Sequence, residues 1–205
     1  MISSTLRTAG ILGLALWLTA CGSSPQVNYY LLKPANAPTA SGQTPALGIG
    51  PVEIPEYLNR RAIVRSGEAN KLKVSSREHW AEPLEDGIVR VVGLNLANLL
   101  NTQNIQYFPW DTRQAPAYGV RIKLLALDAD DREASLVAEW SLSKPGKTGT
   151  SSRQISQLQE PLTHGEQLPA QLAPGYSRLL YRLSELIAEA IRADLARQAV
   201  PAANS

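Results

Sequence analysis

Side chains able to do acid–base, nucleophilic or metal chemistry are few in this sequence. His79 and His164 are its only imidazoles and Cys21 its only thiol. A hydrolytic enzyme needs a positioned nucleophile with a base beside it, or a metal held by several ligands. His79 and Glu82 stand one helical turn apart and could form an acid/base pair, but a histidine just before a tryptophan and a helix start reads as a cap or surface group. His164 sits beside Gly165 in a loop-like stretch and belongs to no motif. Asp128, Asp130 and Asp131 offer carboxylates for calcium, yet the twelve-residue loop with its glycine and closing glutamate is missing, so they read as a solvated hairpin turn. Gly146-Lys147-Thr148 lacks the upstream glycine of G-x-x-x-x-G-K-[ST] and also reads as a turn. No catalytic residue, metal ligand or cofactor is expected.

The chemistry that the sequence does specify lies at its N-terminus. A polar stretch with a single base, Arg7, precedes an apolar run from Ile11 to Leu18 and small residues up to Cys21. A spanning helix needs about 20 apolar residues, and this run is roughly half that, so residues 1–20 read as a removable signal peptide. The order Leu18-Thr19-Ala20-Cys21 resembles the bacterial lipobox, in which the thiol takes a diacylglycerol before cleavage. A lone cysteine can also be a core thiol, but burial does not suit a position between an apolar run and Gly22-Ser23-Ser24-Pro25. Cys21 is therefore expected to become a lipidated, palmitate-type N-terminus. A single acyl chain binds membranes marginally, and the several chains of a mature lipoprotein should anchor it permanently without a membrane span. Lipoproteins kept at the inner membrane usually have Asp after the cysteine. Gly22 therefore implies an outer-membrane anchor facing the periplasm of a Gram-negative cell.

Removing residues 1–20 from 205 leaves 185, enough apolar sequence for one core without a second domain. The charge is nearly balanced, with 20 basic and 18 acidic residues, and loss of Arg7 leaves 19 against 18. No clustered basic face marks a nucleic-acid binder. With Cys21 alone there is no disulfide, and stability must come from packing.

Residues 21–28 read as a lipidated start and a short polar tether, residues 29–198 as the domain and residues 199–205 as a flexible tail. Tyr29–Lys33 has strand character, and residues 34–45 form a loop rich in Ala, Pro, Thr, Ser and Gly. Leu47–Ile54, Ala62–Ser66 and Lys71–Ser75 are short β-favouring runs, the first interrupted at Gly50-Pro51 and the last two joined as a hairpin by residues 67–70. Pro83 opens a helix in which Leu84, Ile88, Val91, Val92, Leu96 and Leu99 recur at helical spacing, with Asp86 and Arg90 as a supporting i,i+4 pair. Four further strands are expected at Ile105–Phe108, Tyr118–Asp128, Ser135–Ser143 and Gly149–Leu158. A long amphipathic helix closes the chain: Tyr176, Leu179, Leu180, Leu183, Leu186, Ile187, Ile191 and Leu195 mark one face and Arg178, Arg182, Glu185, Glu189 and Arg192 another. The order predicts an α+β fold with a mixed β-sheet and two main helices, after about residues 83 and 175, packed on it.

On these elements Tyr57, Arg60 and Trp80 are candidate partner contacts, because large aromatics and arginine often anchor interfaces. The alternative for Trp80 is packing beneath the first helix. Arg178 and Arg182 fall in the first turns of the expected last helix, where cations oppose the macrodipole. An anionic lipid headgroup or an acidic partner would relieve them; a solvated helix face is the alternative.

Three segments carry a resemblance to a known family. They are Asn28-Tyr29-Tyr30-Leu31-Leu32; Ile49-Gly50-Pro51-Val52-Glu53-Ile54-Pro55-Glu56-Tyr57-Leu58-Asn59-Arg60 with Ala62-Ile63-Val64-Arg65; and His79-Trp80-Ala81-Glu82-Pro83-Leu84. In these the chain resembles the PqiC-type family of ABC transport auxiliary lipoproteins. His79 stands where the family often has Arg. The resemblance implies a non-enzymatic accessory role in an intermembrane lipid transport system that supports membrane integrity. The implied partners are a periplasmic MCE-domain protein (PqiB-like) and its inner-membrane component, and self-association into a homo-oligomer is left open. A structural or assembly lipoprotein without a transport role is the alternative, and an envelope hydrolase dependent on His79 or His164 is a distant third. The transported lipid and its direction are not legible in the residues.

Overall fold

The computed structural model describes residues 26–144, 151–162 and 168–199. The signal-like segment, Cys21, the start of the tether, Gly146-Lys147-Thr148, His164 and residues 200–205 lie outside them. Within the described residues the chain runs β1 (Asn28–Tyr30), β2 (Leu47–Glu53), β3 (Ala62–Ser66), β4 (Leu72–Trp80), α1 (Leu84–Leu100), β5 (Ile105–Tyr107), β6 (Tyr118–Ala129), β7 (Glu133–Ser143), β8 (Ser151–Pro161) and α2 (Leu168–Ala199).

The strands form two mixed sheets, of five strands in the order β5-β2-β6-β7-β8 and of three in the order β1-β4-β3. The expected α+β class holds, with two sheets where one was expected. After β2 the chain meets Pro55 and a single 3-10 turn at Glu56–Leu58, which carry it out of the larger sheet. The hairpin that follows pairs with itself and with β1 instead. At its tip Ala69 and Asn70 adopt positive φ, and the Gly67 N–H donates to the Lys71 carbonyl at 2.7 Å.

β2 lies between β5 and β6, parallel to both, and Leu47, Ile49 and Val52 are fully in the core. A strand covered on both faces is expected to read as a continuous apolar run. Pro51 does not end it: the register with β6 shifts between Ile49 and Val52, so the missing proline N–H falls at a bulge. Gly50 sits there at φ 106°, a backbone open to glycine, with the Phe108 Cβ 3.0 Å from where a Cβ would stand. β6 and β7 alternate instead. Ile122, Leu124, Leu136 and Trp140 point inward, and Arg121, Lys123 and Glu139 line the opposite face. Both helices cover the inward face: α1 lies on β2 and β5, α2 lies across β6, β7 and β8, and the two pack on each other.

α1 begins directly after Pro83, as the sequence predicts, with Glu85 and Asp86 in its first turn complementing the dipole. It stops at Asn101, whose left-handed conformation returns its N–H to the carbonyls of Ala97 and Asn98. The expected Asp86–Arg90 pair is replaced by a longer-range one. Arg90 Nη2 donates to Glu82 Oε1 at 2.5 Å and to the Leu32 carbonyl at 2.9 Å, pinning the segment after β1 to the helix start. α2 begins at Leu168, two turns before the expected start, with Pro174 inside it.

Candidate functional site

The residues expected to meet a partner fall into two groups. Trp80 ends β4 and is only 4% exposed, with its ring 6.2 Å from that of Tyr176 on α2. Its place is the core beneath the helices. Tyr57, in the single turn after β2, packs half-buried on the same core, and burial raises its pKa, with the Asp128 carboxylate adding to the effect. Arg60 follows on an exposed loop. The chain thus brings Tyr57 and Trp80 to one core, with Trp80 against Tyr176, and leaves Arg60 facing solvent. Tyr176 carries a buried hydroxyl with no hydrogen-bond partner among the described residues, and burial drives its pKa upward.

Arg178 and Arg182 are displaced from the helix start. With α2 beginning at Leu168 they stand nearly three and nearly four turns in, at about 3.6 residues per turn, so the unfavourable dipole predicted for them does not apply. Both reach Glu160 on β8: Arg178 Nε lies 2.6 Å from Oε1 and Arg182 Nη1 3.7 Å from Oε2, and Arg182 also donates to the Gln159 carbonyl. They fasten the helix to the edge strand and do not form an unrelieved cationic patch.

His79 lies in β4 and not at a helix cap. It pairs with Tyr29 and Ala62 across the small sheet, its ring edge-on to that of Tyr29 at 5.9 Å. The aspartates serve the β6–β7 hairpin. Asp128 Oδ1 accepts from the Ser66 and Ala129 N–H groups at 2.7 and 2.8 Å, and Asp130 Oδ1 from those of Arg132 and Glu133 at 2.8 and 2.9 Å. These backbone donors lower the Asp130 pKa. Among the described residues no group of His, Cys, Asp and Glu is placed to hold a metal ion. No helix there is long and apolar enough to cross a membrane.

Two further places were not singled out by the sequence. At the C-terminal end of α2, Asp194 Oδ2 accepts from Lys144 Nζ at 2.5 Å, the Tyr118 hydroxyl at 2.6 Å and Gln198 Nε2 at 2.6 Å. The bonds from Lys144 and then from Tyr118 hold the Asp194 pKa at about 2. Tyr118 is pushed up to about 12, by burial and then by its bond to Asp194. The network floors a cavity of about 340 Å³.

The larger opening, about 610 Å³, lies between β1 with the stretch after it and the first half of α2. Tyr29, Tyr30, Leu31, Pro34 and Ala35 form one wall; Ala170, Ala173, Pro174, Ser177 and Tyr181 form the other. Small residues on α2 at this spacing let the β1 segment approach, and the Lys33 N–H donates to Ser177 Oγ at 3.1 Å. Tyr29 is 58% and Leu31 41% exposed at the mouth, while Tyr30 is tied to Glu78 and raised to about 12, chiefly by burial. Lys33 and Arg178 stand on the rim. Tyr181 also lines a second recess of about 190 Å³, with Asn36, Thr39, Asn95, Asn98 and Leu99. Asn95 is 1% exposed; its Oδ1 accepts from the Ala35 N–H at 3.1 Å, and its Nδ2 has no partner among the described residues.

The fold and its family are established by comparison. The structure matches a crystal structure of an uncharacterized protein with a TM-score of 0.63 at 15% identity, covering 82% of this chain and 99% of that one. It also matches protein XCC0632 from Xanthomonas campestris, with a TM-score of 0.63 at 13% identity, covering 84% and 99%. At such identities these likenesses concern the fold alone. No curated protein matches the chain. The profile of the family described as ABC-type transport auxiliary lipoprotein component matches residues 29–188, a span that holds both sheets, α1 and most of α2. The chain belongs to that family of transport auxiliary lipoproteins.

Proposed function

We propose that the protein is a non-enzymatic accessory subunit of an MCE-type intermembrane lipid transport system, held by Cys21 at the periplasmic face of the outer membrane. The observation that supports this most is the family match over residues 29–188, taken with the lipobox-like order just ahead of it. The site geometry is consistent with it. The charged clusters around Asp194 and Glu160 are internal fastenings made of hydrogen bonds and ion pairs. An accessory protein of this kind supplies a surface and a position. Tyr57 and the exposed Arg60 loop are part of the surface turned to the partner, which is a periplasmic MCE-domain protein linked to an inner-membrane component.

Anchoring is tested by Cys21→Ser. The variant is expected to stay uncleaved or soluble, to leave the membrane fraction, and to fail to restore detergent resistance to cells lacking the protein. Normal processing, outer-membrane recovery and full complementation would overturn the anchored reading.

A further inference from the structure

The opening between β1 and α2 has the chemistry of a ligand site. Its volume of about 610 Å³ lies within the roughly 300–1,000 Å³ usual for small-molecule sites, and its walls set apolar side chains beside the polar groups of Lys33, Ser177, Arg178 and Tyr181. We propose that this groove binds a single phospholipid, one acyl chain lying along Ala170, Pro174 and Ser177 of α2 and the phosphate–ester end lying against Lys33 and the Asn95 recess.

Four observations on different parts of the molecule agree on an amphiphile. First, Val27, Tyr29 and Leu31 alternate along and beyond β1 and are 36%, 58% and 41% exposed, an apolar edge at the mouth of the groove. Second, Lys33 on the rim forms no ion pair among the described residues, whereas Arg178 beside it already has Glu160, so one cation is free to meet a phosphate. Third, Asn95 Nδ2 is a buried donor without an acceptor, in a recess that otherwise spends its amides on its own backbone: Asn98 Nδ2 donates to the Ala37 carbonyl at 3.0 Å and Asn98 Oδ1 accepts from the Thr39 N–H at 2.9 Å. A buried donor left unpaired carries its full desolvation penalty, and a ligand ester or phosphate oxygen would relieve it. Fourth, the groove wall is the first strand of the described chain. At 3.3–3.6 Å per residue the stretch from Cys21 to Tyr29 spans at most about 29 Å, so an anchor at Cys21 keeps the mouth within that distance of its bilayer.

The choice of a phospholipid rests on the transport reading above, but lipid binding and partner binding are measured separately, so either can fail alone. The core residues run from Leu32 to Ile191, so a form beginning at Gly22 carries the whole core. That form is titrated with 1-palmitoyl-lysophosphatidylglycerol below its micelle concentration and the complex counted by native mass spectrometry, with glycerophosphoglycerol as a chainless control. One lipid per chain and no binding of the control are expected. Ala170→Trp, which fills the groove from an exposed position, should weaken binding about tenfold or more, and Leu31→Glu at the mouth should do the same if the first variant misfolds. Lys33→Glu should weaken the phosphatidylglycerol form more than the phosphatidylcholine form, by about fivefold. Absence of a one-to-one complex, or equal binding by folded Ala170→Trp and Leu31→Glu, would overturn the proposal. So would a membrane-extracted, lipidated chain that refuses the lysolipid the Gly22 form accepts, because the groove would then be filled by the protein's own anchor.

Discussion

Asp194 holds three donors on one oxygen, and its carboxylate is worth more to the folded state than to the unfolded chain. Because its folded pKa is depressed from 3.8 to about 2, the stability it contributes is present above pH 3.8 and is lost as the pH falls through about 2. Asp194→Asn should therefore melt at a lower temperature than wild type at pH 7 and should lose less between pH 4 and pH 2. Parallel pH profiles for the two proteins would contradict this assignment. Trp80 makes a simpler case: buried against Tyr176, it should cost about 3–5 kcal/mol when truncated to alanine, read as a fall in denaturation midpoint. An unchanged midpoint with weakened partner binding would return Trp80 to the contact surface. Neither Asp194 nor the Glu160 pairing of Arg178 and Arg182 was legible in the sequence. Each joins residues far apart in the chain, and no local spacing announces such a pair.

At the scale of elements, legibility followed burial. α1 was plain because one buried stripe, from Leu84 to Leu96, repeats at helical spacing between a proline start and an Asn101 stop. β6 and β7 were plain because one face is core and the other solvent. β4 was seen only in part: from Leu72 to Arg77 its side chains are mostly exposed, so no alternation marks it, and its pairing on both sides carries it on to Trp80. The first two turns of α2 were hidden by Pro174-Gly175, which reads as a break. Missing them moved Arg178 and Arg182 to a false helix start and concealed the small-residue wall of the groove. In β2 the Gly50-Pro51 interruption proved to be a bulge within a continuing strand. Gly50→Ala should destabilise the fold by about 1–3 kcal/mol, because alanine at φ 106° is strained and its Cβ would crowd Phe108. A change below a few tenths of a kcal/mol in chemical denaturation would show that the bulge relaxes without cost.

For the molecule as a whole, the helices leave the Arg121, Lys123 and Glu139 face of β6 and β7 open, and β1 and the groove stand at the end of the described chain nearest Cys21. On the proposed function the folded surface recognises the partner, and the lipidated Cys21 keeps the domain near a membrane. Detachment should lower the effective concentration at the membrane without erasing intrinsic affinity. The most direct measurement is a pull-down, at physiological salt, of the Gly22 form and of the anchored chain against the MCE-domain protein encoded nearest to it. The account predicts saturable association by both forms, preserved when His79 and His164 are replaced together by alanine. No detectable association in either form would contradict it.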